Sequence, residues 1–153
     1  MANERITEDL VEEQLRALGF YENEDEIVVE KQQSAIASIR KALSKASKQG
    51  KGGAGYPEYI ITAPETPDMV VIVECKAEVK RHSSPQRNKP RDFAVDGVLH
   101  YARFLSSSYT VICIAVSGTP QSNEWSFLLS RREKKSPVYL LLQAVLKLHR
   151  WSA

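Results

Sequence analysis

The sequence predicts an α/β domain with a mixed central β-sheet covered by helices on both faces. Two continuous apolar runs, residues 69–73 and 109–116, read as strands that need cover on both sides. Amphipathic stretches with helical spacing alternate with them, in the order helix, strand, helix, strand, strand, helix, strand, strand, helix. The 153 residues, 42% of them hydrophobic and 26% charged, suffice for one domain, 1–153, with its own core.

The first helix is expected over residues 7–18, with Thr7 as N-cap and Gly19 as the stop. Ile6, Leu10, Val11, Leu15 and Leu18 share one half of its wheel. Glu8 falls about 20° from Leu15, at the margin of that apolar half, whereas Glu12 points outward. Residues 26–30 read as a short strand, and residues 33–47 as a helix with Ile36, Ile39, Leu43 and Ala46 on one stripe. The glycine-rich stretch 50–55 ends that helix. It lacks the Gly-Lys-Ser/Thr ending and the preceding strand of a P-loop, so it is read as a flexible lead into the next hairpin.

That hairpin carries the chemistry. Residues 56–61 and 69–76 are its strands, and residues 63–68, with Pro64 and Pro67, its turn. In an antiparallel pair, residues whose numbers sum to about 132 then face each other, which sets Glu58 opposite Glu74. Side chains alternate along a strand, so Glu74 and Lys76 share a face and Cys75 points away. Two carboxylates and an ammonium at the end of a buried strand are costly unless a cation or a partner satisfies them. Oxygen donors with open water positions suit magnesium. A cation that acidifies water, with a fixed lysine charge beside it, is what metal-assisted phosphodiester hydrolysis requires. A plain Glu–Lys ion pair is the alternative that spacing alone leaves open. Asp68 follows Pro67 but lies in the turn, about 20 Å of extended strand from Glu74, and is rejected as a ligand.

Residues 77–92, with Pro85 and Pro90, are expected to form an exposed, mobile loop. A helix follows over residues 92–105, with Phe93, Val98, Ala102 and Leu105 buried and Asp96, His100 and Tyr101 on or near that face. His100, a single histidine on a helix, is read as structural. Residues 109–116 form a strand, 117–120 a turn, 125–129 an edge strand and 138–149 a closing amphipathic helix. Trp125 and Trp151 are read as packing residues.

Charge is segregated. Residues 1–30 carry ten acidic and two basic groups, residues 31–55 six basic and no acidic ones, and residues 76–91 six basic ones against Glu78 alone. The two basic blocks flank the hairpin, and a polyanion would meet Lys48, Lys51, Lys80, Arg81, Arg87, Lys89 and Arg91 on its way to the carboxylates. Cys75 and Cys113 lie in apolar strands without metal-ligand spacing and read as buried thiols. This also disfavours a cysteine hydrolase built on Cys75 with His82 or His100. Without a signal-peptide pattern or a long apolar run, the expected location is cytoplasmic.

Pro57-Glu58 followed by Glu74-Cys75-Lys76 resembles the PD-(D/E)XK nuclease signature, with glutamate where aspartate is usual. Residues 47–50, 55–61, 74–77 and 94–102 together are similar to the nuclease region at the start of restriction-modification enzymes fused to an N6-adenine DNA methylase. The likeness covers roughly residues 1–118. It implies a restriction-endonuclease-like fold, with Glu58, Glu74 and Lys76 as catalytic residues. It also implies Mg2+, with Mn2+ as a substitute, held by Glu58, Glu74, the backbone carbonyl of Cys75 and Glu8. Glu8 enters because related nucleases carry a first-helix glutamate some eleven residues before a Gly-aromatic pair, here Gly19-Phe20. Asp96 and Tyr101 occupy the region of a Gln-x-x-x-Tyr pattern whose glutamine position is Gly97, and are assigned supporting roles. The partners implied are double-stranded DNA and fused or associated methylase and specificity domains, and many such enzymes act as homodimers. The function expected is that of a metal-dependent endodeoxyribonuclease domain of a restriction-modification system. The alternative is a catalytically silent DNA-binding or assembly module, which the glutamate at position 58 favours.

Overall fold

Alternation along the central strands sorts the apolar side chains into two cores, one on each face of a five-stranded sheet. The computed structural model describes residues 3–131. Its elements run α1 (Glu4–Ala17), β1 (Val28–Glu30), α2 (Ala37–Leu43), β2 (Tyr59–Thr62), β3 (Met69–Lys76), α3 (Ala94–Leu105), β4 (Thr110–Thr119) and β5 (Ser122–Ser130). The closing helix expected over residues 138–149, and Trp151, lie outside the described residues.

The strands lie in the order β1-β2-β3-β4-β5. Only β3 and β4 are parallel, joined through α3; the other neighbours are antiparallel. The sheet is therefore mixed, as expected. The hairpin has the expected register: Tyr59 pairs with Val73, Ile60 with Ile72 and Ile61 with Val71. Ile60, Val70, Ile72, Val111, Cys113 and Ala115 pack against α2 and α3. Tyr59, Ile61, Val71, Val73, Cys75, Ile112, Ile114 and Val116 pack against Val11 and Leu15 of α1. The middle of the sheet is thus buried on both faces, which explains why β3 and β4 are apolar without interruption.

Four local expectations are corrected. The first helix begins at Glu4, not Thr7, because Asn3 is its cap and accepts the Arg5 amide at 3.0 Å. Thr7 is instead buried inside the helix and donates its hydroxyl to the Gly118 carbonyl at 2.7 Å. The second helix is shorter than its apolar stripe, spanning Ala37–Leu43. Ala46 is buried beyond its end. The turn expected at 117–120 is strand as far as Thr119, which pairs with Ser122, and β5 begins earlier than Trp125.

The loop after β3 is the fourth correction. It makes a short 3-10 turn, Val79–Arg81. Two of its polar side chains, His82 and Ser84, are buried. The His82 ring bridges the hydroxyls of Ser117 at 2.6 Å and Ser126 at 2.7 Å, which ties the loop to β4 and β5. Buried Asp96 accepts the Ser84 amide at 3.1 Å, the Ser84 hydroxyl and the Lys89 amide at 2.9 Å. Backbone and hydroxyl groups that would otherwise be solvated are satisfied internally, so the loop is pinned at both ends. No helix among the described residues is long and apolar enough to cross a membrane.

Candidate metal and phosphodiester site

The site forms where β3 ends. Glu74 and Lys76 project from its last residues toward the α3 side, with Glu58 just before β2 extending the hairpin register to Glu74. The N-terminus of α1 reaches the same end of the sheet. Thr7 holds it there through the Gly118 carbonyl of β4 and, at 3.2 Å, the Lys76 carbonyl of β3.

Carboxylate oxygens of Glu4, Glu58 and Glu74 lie within 4.8 Å of one another. Glu4 stands in the first turn of α1 and was not anticipated as a site residue. The signal that could have found it is Asn3, an N-cap residue that brings Glu4 into the helix one turn before Glu8. Glu8 is half-buried nearby and raises the proton affinity of Glu58, but it lies outside the group of three. Its backbone carbonyl accepts the Tyr59 hydroxyl at 3.0 Å.

Each lysine is committed to one carboxylate. Lys76 Nζ donates to Glu4 Oε1 at 3.0 Å, with its side chain 14% exposed. Lys48 Nζ donates to Glu74 Oε1 at 3.0 Å. Lys48 was expected on a DNA-facing surface; the structure sets it among the carboxylates, where a fully buried glutamate takes its charge. Lys51, Arg81, Arg87, Lys89 and Arg91 are exposed, as is Lys80, whose ammonium pairs with Glu78 at 2.8 Å.

The electrostatics are those of crowded acids. Burial pushes Glu58 up to about 8, with Glu74, Glu8 and Glu4 adding to the rise and Lys48 opposing it. Burial also raises Glu74, against the pull of Lys48 and Lys76. Among the described residues, Glu74 Oε2 is buried and accepts no hydrogen bond, a situation that costs about 1–3 kcal/mol or more for a charged group. Converging oxygens, one of them buried without a donor, fit a hard divalent cation. The lysines neutralise only part of that charge.

Cys75 is fully buried on the opposite, α1 side, and burial holds its thiol well above the usual range. Only its backbone is available to the carboxylates, and nucleophilic use of the thiol is disfavoured. Cys113 is likewise buried, its thiol pushed up to about 12. Asp68 precedes β3, at the far end of the strand from the cluster. His100 donates through Nε2 toward the Ala46 and Ser47 carbonyls, both at 3.2 Å, and so positions the backbone before Lys48. Asp96 acts on the loop, as described. Tyr101 is buried, with its hydroxyl against the Tyr56 backbone and the Lys48 ammonium 5.6 Å from its ring centroid. A Cβ on Gly97 would come within 3.1 Å of Glu74 Cγ and 3.0 Å of the Pro90 carbonyl. The missing side chain at Gly97 thus leaves room for Glu74.

No family model matches the chain, and no solved structure matches it. Among curated proteins it is similar to the type II restriction enzyme and methyltransferase RM.BcgI of Heyndrickxia coagulans, with 31% identity over 132 residues, covering 77% of this chain and 19% of the relative. The chain therefore spans about a fifth of the length of the protein it resembles.

Proposed function

We propose that this chain is the metal-dependent endodeoxyribonuclease module of a restriction-modification protein, a PD-(D/E)XK-type domain acting on double-stranded DNA. The observation that carries this reading is the convergence of Glu4, Glu58 and Glu74 within 4.8 Å, with a buried Glu74 oxygen left without a donor and two lysines at hand. Similarity to part of a restriction enzyme and methyltransferase supports the same setting.

Glu58, Glu74 and Glu4 would hold Mg2+ or Mn2+, with the Cys75 carbonyl and Glu8 available at the margin. Bound there, the cation would supply a positive charge that acidifies water and polarises a phosphodiester. The protein's own contribution is fixed charge, with Glu74 fully buried and Glu4 and Glu58 partly exposed. Glu74, fully buried, cannot swing away from the cluster. Lys76 shares its face and would present an ammonium to the developing negative charge of phosphate. Glu58, which stands just before β2, brings a carboxylate oxygen to the cluster.

The test is nicking of supercoiled plasmid with Mg2+ or Mn2+. Glu74→Ala and Lys76→Ala are expected to lower the rate by at least 10²-fold, the scale of losing one transition-state contact. Divalent-independent nicking, or full activity in Glu74→Ala, would overturn the proposal. Retained DNA binding without any cleavage by the unaltered chain would favour the silent binding or assembly module.

A further inference from the structure

Beside the carboxylates opens a cavity of about 350 Å³ whose lining includes Ser47, Lys48, Gly55, Tyr56, Arg91 and Tyr101. Lys48 belongs to both sites, with its ammonium on Glu74 and over the Tyr101 ring. Tyr101 forms a buried wall. Tyr56 is 48% exposed, a large aromatic side chain left outside both cores. Its backbone lies against the Tyr101 hydroxyl. Gly55 keeps the walls close: a Cβ there would lie 2.4 Å from the Ala46 carbonyl oxygen and 2.5 Å from Tyr101 Cε1.

We infer that this cavity is a subsite for one unstacked deoxynucleotide of the DNA strand whose backbone reaches the carboxylates. The inference rests on the proposed nuclease reading and names where a neighbouring nucleotide sits. Its chemistry is that of a nucleotide rather than of a simple anion. Tyr56 offers an aromatic face for a base, while exposed Arg91 offers a cation for the attached phosphate. The volume falls at the small end of ligand pockets, about 300–1,000 Å³, enough for a base and sugar and far more than phosphate alone needs. A base can meet Tyr56 in the cavity only when it leaves the duplex stack, which is least costly in single-stranded or mismatched DNA.

The full chain, held in Ca2+ to suppress cleavage, is titrated with a short single-stranded oligodeoxynucleotide carrying 2-aminopurine. Binding is expected to quench the fluorescent base by stacking. Tyr56→Ala is expected to abolish the quench and weaken binding roughly tenfold or more, whereas Tyr56→Phe retains both. Arg91→Ala is expected to weaken binding, with a shallower dependence on salt. Circular dichroism and thermal melting check that each variant is folded. Quenching and affinity that are unchanged in folded Tyr56→Ala would overturn the subsite. The two readings fail separately: Tyr56-dependent quenching by a chain that never nicks plasmid would keep the subsite and remove the nuclease, and nicking with quenching indifferent to Tyr56 would do the reverse.

Discussion

At the scale of single residues, the site is governed by a surplus of negative charge. Glu58 sits close enough to Glu74, Glu8 and Glu4 that its ionisation is opposed by all three as well as by burial. Neutralising it should relieve that repulsion while removing a donor from the cluster. Glu58→Gln is therefore expected to raise Tm in chelator at about pH 9, by roughly 2–4 °C for each kcal/mol relieved. The proposed metal site further predicts that Mn2+ raises the Tm of the unaltered chain and leaves that of this variant unchanged. A lower Tm in chelator would show that the charge at position 58 is stabilising and the crowding argument wrong. Lys48 illustrates a different lesson. Its place in a basic block marked it for a surface role, yet Glu74 is fully buried and draws the nearest ammonium inward.

At the scale of elements, the decisive joint is between α1 and the ends of β3 and β4. One hydroxyl, that of Thr7, donates to the Gly118 carbonyl, with the Lys76 carbonyl also in reach. Valine matches the shape of threonine but cannot donate, so Thr7→Val leaves a buried carbonyl unsatisfied. A loss of about 1–3 kcal/mol is expected, seen as a lower urea midpoint with unchanged m-value. An unchanged midpoint would mean that α1 is held by its apolar face alone. The joint matters for the proposed site because Glu4 lies one turn before Thr7, and the Glu4–Lys76 pair at 3.0 Å depends on the docking angle of this helix.

At the scale of the whole molecule, the loop following β3 closes the structure from one side by linking β4, β5 and α3. His82, buried between two serine hydroxyls, is its central fastening. Burial lowers its proton affinity below the ordinary value of 6.5, against the pull of Glu124. In the unfolded chain the ring gains a proton near pH 6.5 and in the folded chain only lower down. The unfolded state thus binds more protons in that window, and stability present above about pH 6.5 is lost as pH falls through it. His82→Gln is expected to flatten the dependence of Tm on pH just below 6.5. A slope identical to that of the unaltered chain would place the responsible group elsewhere. Asp96 acts in a lower window: the Ser84 and Lys89 donors outweigh burial and hold its carboxyl below the usual value of 3.8. Its contribution is lost only as pH falls from there.

What the sequence determined by itself were the features of short range and regular period. Continuous apolar runs marked β3 and β4, turn residues fixed the hairpin, and the register followed from counting, so Glu58 fell opposite Glu74, with Lys76 on the Glu74 face by alternation. Period-two alternation likewise sent Cys75 to the opposite core. Tertiary structure alone decided the rest of the site. Glu4 reaches it from 70 residues before Glu74, and Lys48 from 26 residues before. Neither distance has a period, because both depend on where α1 docks and how the chain leaves α2. The same holds for the loop after β3, whose prolines and charges suggested mobility while His82 and Asp96 bury its polar groups in pairs. Local patterns encode which face a side chain takes, but long-range convergence is set by packing, where burying Glu74 makes ordering a distant lysine worth its entropy.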